Sequence, residues 1–467
     1  MRYSSVSVVV AGVDMRRSLL MALAIGCTSS SAGYAQSVQA PRPNVVLIIT
    51  DDMGWADLGS YGATDIRTPN LDRLASEGLR LTDFYANGVT CSPTRAGLIS
   101  GRYQQRYGIE APLPNAERAG DRGLPAMGTS LPQLLKNHGY ATALIGKWHL
   151  GYVEGKSPNA HGFDYFFGLK SGYHDYYTHH DGAGQPDLWE NDKPLETSGY
   201  TTDLVTQRAS RFIEEHKAEP FFIDVSYTAP HWPYQVPGAP SVAPDNARHV
   251  MPTDLETSTR SDYAAMVEHL DGQIGELLAV IERAGVAENT IVIFTNDNGG
   301  EWLASSAPFF GRKWTVFEGG IRVPAIVRWP NRIPAGAVSD QVGITMDLTA
   351  SILAVTGAPV PPAARLEGVN LFPIWEGRAP EVERALFWRA GSGAAKQAAV
   401  RRGQWKLIVD GPHTYLFDLG RDLSERNDLA KWRQDIAQEL QPLLAAWEAS
   451  VDAESPPSEP PAGSSRR

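Results

Sequence analysis

Cysteine is nearly absent from this chain: its 467 residues include two, Cys27 and Cys91. Two thiols cannot build a disulfide-stapled scaffold. If Cys27 is lost with an export signal, Cys91 has no internal partner at all. Long apolar runs are missing as well. The stretch S-L-L-M-A-L-A-I-G at 18–26 is too short to cross a bilayer, and no later stretch is longer and as apolar, so no membrane span is expected. Positive charge is in deficit, with 42 Lys and Arg against 53 Asp and Glu and a net charge of −11. That balance gives nucleic acid no global electrostatic footing, so an anionic substrate needs a local basic cluster or a metal. No internal repeat is evident.

What is present is globular: 42% hydrophobic and 20% charged residues over a length that buries a large core. Near the N-terminus, Met15-Arg16-Arg17 precedes the apolar stretch, and Gly33-Tyr34-Ala35 offers the small residues a signal peptidase reads. We expect a signal peptide over 1–35 and an exported, periplasmic or secreted protein. Arg16-Arg17 leaves twin-arginine and general secretory export both open. Ala24-Ile25-Gly26-Cys27 is a poor lipoprotein box.

Several apolar runs read as buried strands that end in chemistry. N-V-V-L-I-I-T at 44–50 ends in Asp51-Asp52, and A-T-A-L-I-G at 141–146 ends in Lys147-Trp148-His149. F-F-I-D-V-S-Y at 221–227 leads to His231, and N-T-I-V-I-F-T at 289–295 ends in Asn296-Asp297-Asn298. Continuous apolar strands belong to parallel sheets covered on both faces, and such sheets place ligands beyond their carboxyl ends. Adjacent carboxylates repel unless a cation lies between them. A turn or helix cap would explain a single Asp; the pair favours a metal site. Helices are expected over 68–78, 129–137, 203–217 and 261–284. The expected fold is α/β over 36–360: a large mixed, mostly parallel sheet sandwiched by helices. A small α+β subdomain with an antiparallel sheet is expected over 361–452. It has strands at 384–388, 398–409 and 414–418, then a helix at 430–449 with Trp432 inward and a kink or break at Pro442. A disordered tail is expected over 453–467.

Residues 89–103 read V-T-C-S-P-T-R-A-G-L-I-S-G-R-Y. Pro93 suits a helix start and Gly101 its end, so Cys91 is expected just before a helix N-terminus, where an anion is favoured. Residues 152–200 are irregular and rich in aromatics and histidines. They fit a substrate rim or a loop with its own small core equally well. His179-His180 lacks a partner at transition-metal spacing. The oxygen set Asp51, Asp52, Asp297 and Asn298 suits a hard cation, calcium or magnesium. Arg95, Lys147 and Lys313 form a cationic set, with His149 and His231 as proton carriers.

C-S-P-T-R-A-G-L-I-S-G-R-Y resembles the signature of the type I sulfatases. N-V-V-L-I-I-T-D-D-M-G, T-P-N-L-D-R-L-A, G-K-W-H-L-G, H-G-F-D-Y-F-F-G, A-P-H-W-P, N-T-I-V-I-F-T-N-D-N-G-G and K-W-T-V-F-E-G-G follow in family order. The resemblance implies that a separate maturase oxidises Cys91 to Cα-formylglycine. It implies calcium on Asp51, Asp52, Asp297, Asn298 and the modified Cys91. It also implies that a hydroxyl of the hydrated aldehyde, its proton drawn off with the help of Asp297, attacks sulfur. Arg95, Lys147 and Lys313 then neutralise the sulfate, His231, with Lys313 as a candidate helper, protonates the leaving oxygen, and His149 takes the second hydroxyl's proton to release sulfate. The implied substrate is a sulfate monoester, a sulfated carbohydrate or small molecule. The alternatives are a phosphonate or phosphate monoester hydrolase of the same superfamily, and a sulfated-glycan-binding protein without catalysis.

Overall fold

The computed structural model describes residues 42–238 and 257–456. The expected signal peptide and nearly all of the expected tail lie outside these residues. Among the described residues the main sheet has ten strands. Across it they run Ala337–Ser339, Leu79–Leu81, Ala325–Arg328, Thr290–Asn296, Asn44–Thr50, Phe221–Ser226, Ala141–Gly146, Tyr165–Gly168, Trp189–Glu190 and Lys193–Pro194. The five from Thr290–Asn296 to Tyr165–Gly168 are mutually parallel. Ala325–Arg328 and Trp189–Glu190 pair antiparallel at their borders.

Alternation along Asn44–Thr50 explains the sandwich. Val46 and Ile48 face a core closed by the helices Pro69–Glu77, Thr201–His216 and Arg260–Arg283. Val45, Leu47 and Ile49 face a second core under Cys91–Ser100, Leu131–Asn137 and Thr345–Thr356. Both faces are dry, which is why the strand reads as an unbroken apolar run; each such side chain contributes roughly 1.5–3 kcal/mol on burial.

Ala385–Ala390, Gln397–Arg402, Trp405–Asp410 and His413–Asp418 form a separate four-stranded antiparallel sheet. The run expected as one strand over 398–409 is two, reversed at Gly403, whose φ of 56° suits a tight turn. The last helix, Gln434–Asp452, runs through Pro442 without a break. Leu440, Leu444 and Trp447 point inward, but Trp432, expected inward, precedes the helix and is 82% exposed. Where this sheet meets the main body, charge is buried: Lys406 Nζ lies 2.7 Å from Glu318 and 2.9 Å from Glu425.

Candidate functional site

Strand register builds the site. Thr50 pairs with Asn296, while Ile49 and Gly146 both pair with Ser226. The next residues, Asp51, Asp297 and Lys147, therefore leave the sheet at one carboxyl edge. The Asp297 N–H donates to the Thr50 carbonyl (3.1 Å) and the Lys147 N–H to the Ser226 carbonyl (2.8 Å). Asp52 (φ 63°) and His149 (φ 56°) adopt the left-handed region, uncommon for residues other than glycine and concentrated at functional sites.

The carboxylates, cations and two histidines expected from the strand ends, with Arg95 and Lys313 from neighbouring segments, are brought to this edge. Arg95 donates to Asp297 Oδ2 from Nε (3.1 Å) and Nη2 (2.9 Å), and from Nη1 to the Lys147 carbonyl (3.0 Å). Lys147 pairs with Asp51, both fully buried. Lys313 Nζ lies 2.7 Å from Asp52 Oδ2 and 3.1 Å from Glu301. Burial would raise the Asp52 carboxyl, but Lys313, His231 and Lys147 hold it well below the usual carboxylate range.

Several buried acceptors have no donor. Asp51 Oδ1, Asp297 Oδ1 and Asn298 Oδ1 accept no hydrogen bond. Ligand atoms of Asp51, Cys91 and Asp297 lie within 4.8 Å of one another, as do those of Asp51, Asp52 and His231. Burial, then the charge of Asp297, pushes the Asp51 carboxyl well above its ordinary value. Buried lone pairs without donors are costly, and a donor set of mostly carboxylate and amide oxygens fits a hard divalent cation.

The two histidines differ in what their rings can do. His149 Nε2 faces the Leu113 carbonyl at 2.8 Å, so that nitrogen carries the hydrogen. Nδ1 is left as a bare, buried acceptor. Burial and the neighbouring Lys147 keep the ring neutral. His231 Nδ1 lies 2.5 Å from the Trp232 carbonyl, and Nε2 lies 3.4 Å from Asp52 Oδ2. Acceptors on both sides call for a proton on each nitrogen; burial and Lys313 oppose the second, and the ring's pKa is lowered.

Cys91 is the first residue of its helix rather than the residue before it. Thr90, extended at φ −154°, takes the capping position, and its carbonyl accepts from the Thr94 N–H (3.3 Å). Gly101 ends the helix at φ 69°, as expected. Burial pushes the Cys91 thiol up to about 11 despite Lys147 and Lys313, so the unmodified side chain is a protonated thiol at neutral pH.

Cys91, His149, His231 and Lys313 open onto one cavity of about 710 Å³. The aromatic stretch over 161–190 divides between the two roles expected for it. Phe163, Phe166, Phe167 and Tyr176 are core, and His161 and His174 are buried with hydrogen-bond partners. Ser171, Gly172, Tyr173, Asp181 and Gly182 line the cavity. The sequence reading missed Glu301, Trp302 and Trp314, which also line it. Their neighbours Gly299-Gly300 and Lys313 were the available signal.

A family model described as Sulfatase matches residues 43–358, and one described as N-sulphoglucosamine sulphohydrolase, C-terminal, matches 307–449. N-acetylgalactosamine-6-sulfatase of Canis lupus familiaris is 35% identical over 404 residues, covering 81% of this chain and 73% of its own. Arylsulfatase G of Mus musculus is 34% identical over 403 residues, covering 76% and 73%. The crystal structure of Ps i-CgsB in complex with k-i-k-neocarrahexaose superposes with a TM-score of 0.79 at 29% identity, covering 87% of this chain and 92% of that one.

Proposed function

Because the chain belongs to the sulfatase family and is a sulfuric ester hydrolase, we propose that it cleaves a sulfate monoester of a carbohydrate, outside the cytoplasm, at the strand edge around residue 91. The exported location rests on the signal expected over 1–35. In this reading a catalytic division spans 36–360 and a C-terminal one 361–452.

Calcium, with magnesium as second choice, is assigned to Asp51, Asp52, Asp297, Asn298 and residue 91. When bound, it supplies positive charge that neutralises sulfate oxygens and eases deprotonation of a hydroxyl. A maturase that oxidises Cys91 to Cα-formylglycine replaces an inert thiol with a hydrated aldehyde, whose hydroxyl is a competent nucleophile. Arg95, Lys147 and Lys313 hold the sulfate oxygens through preorganised charge. Asp297 helps take the proton of the attacking hydroxyl. His231, with Lys313 beside it, delivers a proton to the leaving oxygen. An arriving anion favours the second ring proton that burial resists in the empty cavity. His149 Nδ1, the bare acceptor, takes the proton of the second hydroxyl.

The observation that carries this reading is the convergence beside Cys91 of four donorless acceptors, Asp51 Oδ1, Asp297 Oδ1, Asn298 Oδ1 and His149 Nδ1. The buried cations Arg95, Lys147 and Lys313 pair with the other carboxylate oxygens of the edge, on Asp297, Asp51 and Asp52. The test is peptide mass spectrometry across Cys91 in protein from its own host, joined to sulfate-release assays on sulfated hexosamines and aryl sulfates. Formylglycine with sulfate release is expected. Unmodified cysteine in a host whose maturase is active would sink the mechanism. Faster turnover of phosphonate or phosphate monoesters would move the reading to the superfamily alternative.

A further inference from the structure

The cavity is too large for a sulfate alone, and one wall of it is aromatic and unusually held. Trp302 and Trp314 are 48% and 53% exposed and both line it. Both adopt positive φ, 44° and 81°, a conformation that bulky side chains rarely take and that clusters where ligands are bound. Glu301 collects the wall. Its carboxylate accepts from Trp314 Nε1 (2.8 Å) and Trp232 Nε1 (3.3 Å) as well as from Lys313 Nζ (3.1 Å). The edge of the Trp314 indole is thus pinned while half its surface stays open. Lys313 Nζ lies 5.7 Å from the centre of that ring, so the wall begins within one sugar's width of the cation.

Trp232 continues the wall by packing on Tyr173, ring centres 4.0 Å apart. Beside Tyr173, Gly182 allows the tyrosine hydroxyl an approach that any Cβ would block, at 1.9 Å. Asp181 precedes it and lines the cavity. Its Oδ1 accepts from the Ala183 and Gln185 N–H groups, both at 2.9 Å. Its Oδ2 makes no hydrogen bond with the described residues. A carboxylate repels sulfate, so Asp181 does not serve the anion. Arg312 lies over the Trp302 ring at 5.1 Å, and a free carboxylate oxygen in the same cavity as these half-exposed indoles suits the hydroxyl or amide groups and the apolar faces of a pyranose ring.

We propose that Trp302 and Trp314 form the stacking wall for the sugar ring of a sulfated saccharide, that Asp181 accepts a hydrogen bond from that ring, and that Glu301 is the positioning residue of the wall. This rests on the sulfatase reading above and extends it to the sugar that carries the ester. The test uses the full-length, formylglycine-bearing enzyme with 6-O-sulfated N-acetylgalactosamine, 4-O-sulfated N-acetylgalactosamine and p-nitrophenyl sulfate. On whichever saccharide the wild type turns over best, Trp314→Ala lowers kcat/KM at least tenfold, mainly through KM, and Trp302→Ala does the same to a lesser degree. Trp314→Phe, which keeps a flat ring, recovers most of the loss. Asp181→Asn raises KM without lowering kcat, and Glu301→Gln raises KM on the saccharide. Trp432→Ala, at an exposed position outside the cavity, serves as the unchanged control. An active wild type whose Trp302→Ala and Trp314→Ala variants stay within twofold on saccharides would overturn the inference alone. So would a wild type that hydrolyses p-nitrophenyl sulfate and neither saccharide. A formylglycine-bearing wild type that releases sulfate from none of the three would overturn the underlying reading, and this one with it.

Discussion

Gly172 stands against His149 so closely that a Cβ built on the glycine would lie 2.6 Å from the imidazole Cε1. The ring is held on one side by that backbone and on the other by the hydrogen bond from Nε2 to the Leu113 carbonyl. Gly172→Ala should therefore displace the bare Nδ1 acceptor while leaving every charged residue in place. A misplacement near 1 Å costs on the order of 100-fold in rate. We expect kcat to fall about 10- to 100-fold with little change in the thermal midpoint. Steady-state kinetics beside a melting curve decide it, and unchanged kcat would remove His149 from the reaction.

Asp51 and Asp297 sit together without enough donors, and burial together with the Asp297 charge raises the Asp51 carboxyl. In protein stripped of divalent ions, Asp51→Asn relieves that repulsion but leaves Lys147 buried without its carboxylate partner, so its melting temperature should fall below that of the wild type. Adding calcium should then stabilise the wild type, by about 2.7 kcal/mol at 100 times Kd, and leave the variant nearly unmoved. Differential scanning fluorimetry with and without calcium reads both effects. A variant that gains as much from calcium as the wild type would exclude Asp51 as a ligand.

Lys406 lies buried between Glu318 and Glu425 where the small sheet meets the main body. Lys406→Met strands the Glu425 carboxylate in a dry interface, while Glu318 keeps Arg322 at 3.1 Å. Breaking a buried ion pair by removing one partner costs roughly 3–5 kcal/mol. Urea denaturation should show a loss of that order, and a loss below 1 kcal/mol would mean that water reaches the cluster.

Glu425 in the same cluster also sets a pH dependence. Burial pushes its carboxyl up to about 7, against the pull of Lys406. A folded-state pKa above the unfolded one means that the folded chain binds the proton more tightly. The stabilisation is full below about 4.5, the usual glutamate range, and is lost as pH rises towards 7. Glu318 has the opposite sign: despite burial, Lys406 and its neighbouring arginines hold it down to about 2, so its contribution is present above about 4.5 and fades only in strong acid. Glu425→Gln should flatten the decline in melting temperature between pH 5 and 7. An identical slope in both proteins would assign that decline to another group.

Much of the site was legible because its residues follow runs that could hardly be anything but buried parallel strands. Asp51, Lys147 and Asp297 each come one residue after such a run, and the strand register does the rest. The wall of Trp302 and Trp314 was not legible. Both lie in irregular loops, and neither exposure nor a positive φ at tryptophan leaves a mark on the pattern of neighbouring residues. The displaced helix start at Cys91 has a local cause: proline in the third helical position costs no hydrogen bond, so the helix can begin two residues before Pro93, with Thr90 capping through its backbone carbonyl alone. The split at Gly403 was hidden because Arg402-Gly403-Gln404 turns the chain without the usual Asn-Gly or Asp-Gly pair. Trp432 misled by its apolar character alone.

The pairing of Thr50 with Asn296 joins segments 246 residues apart. Neither strand end holds the oxygens of the edge by itself, and a slip of one residue would turn Asp51 and Asp297 to opposite faces. The acidic edge therefore belongs to the folded chain and to neither segment alone. It comes into being only when the first strand of the sheet and one from the far half of the chain have closed in register. A chain halted before residue 290 would lack Asp297 and Asn298, two of the residues proposed to hold calcium. Binding at that proposed site would thus report on the completeness of the fold itself.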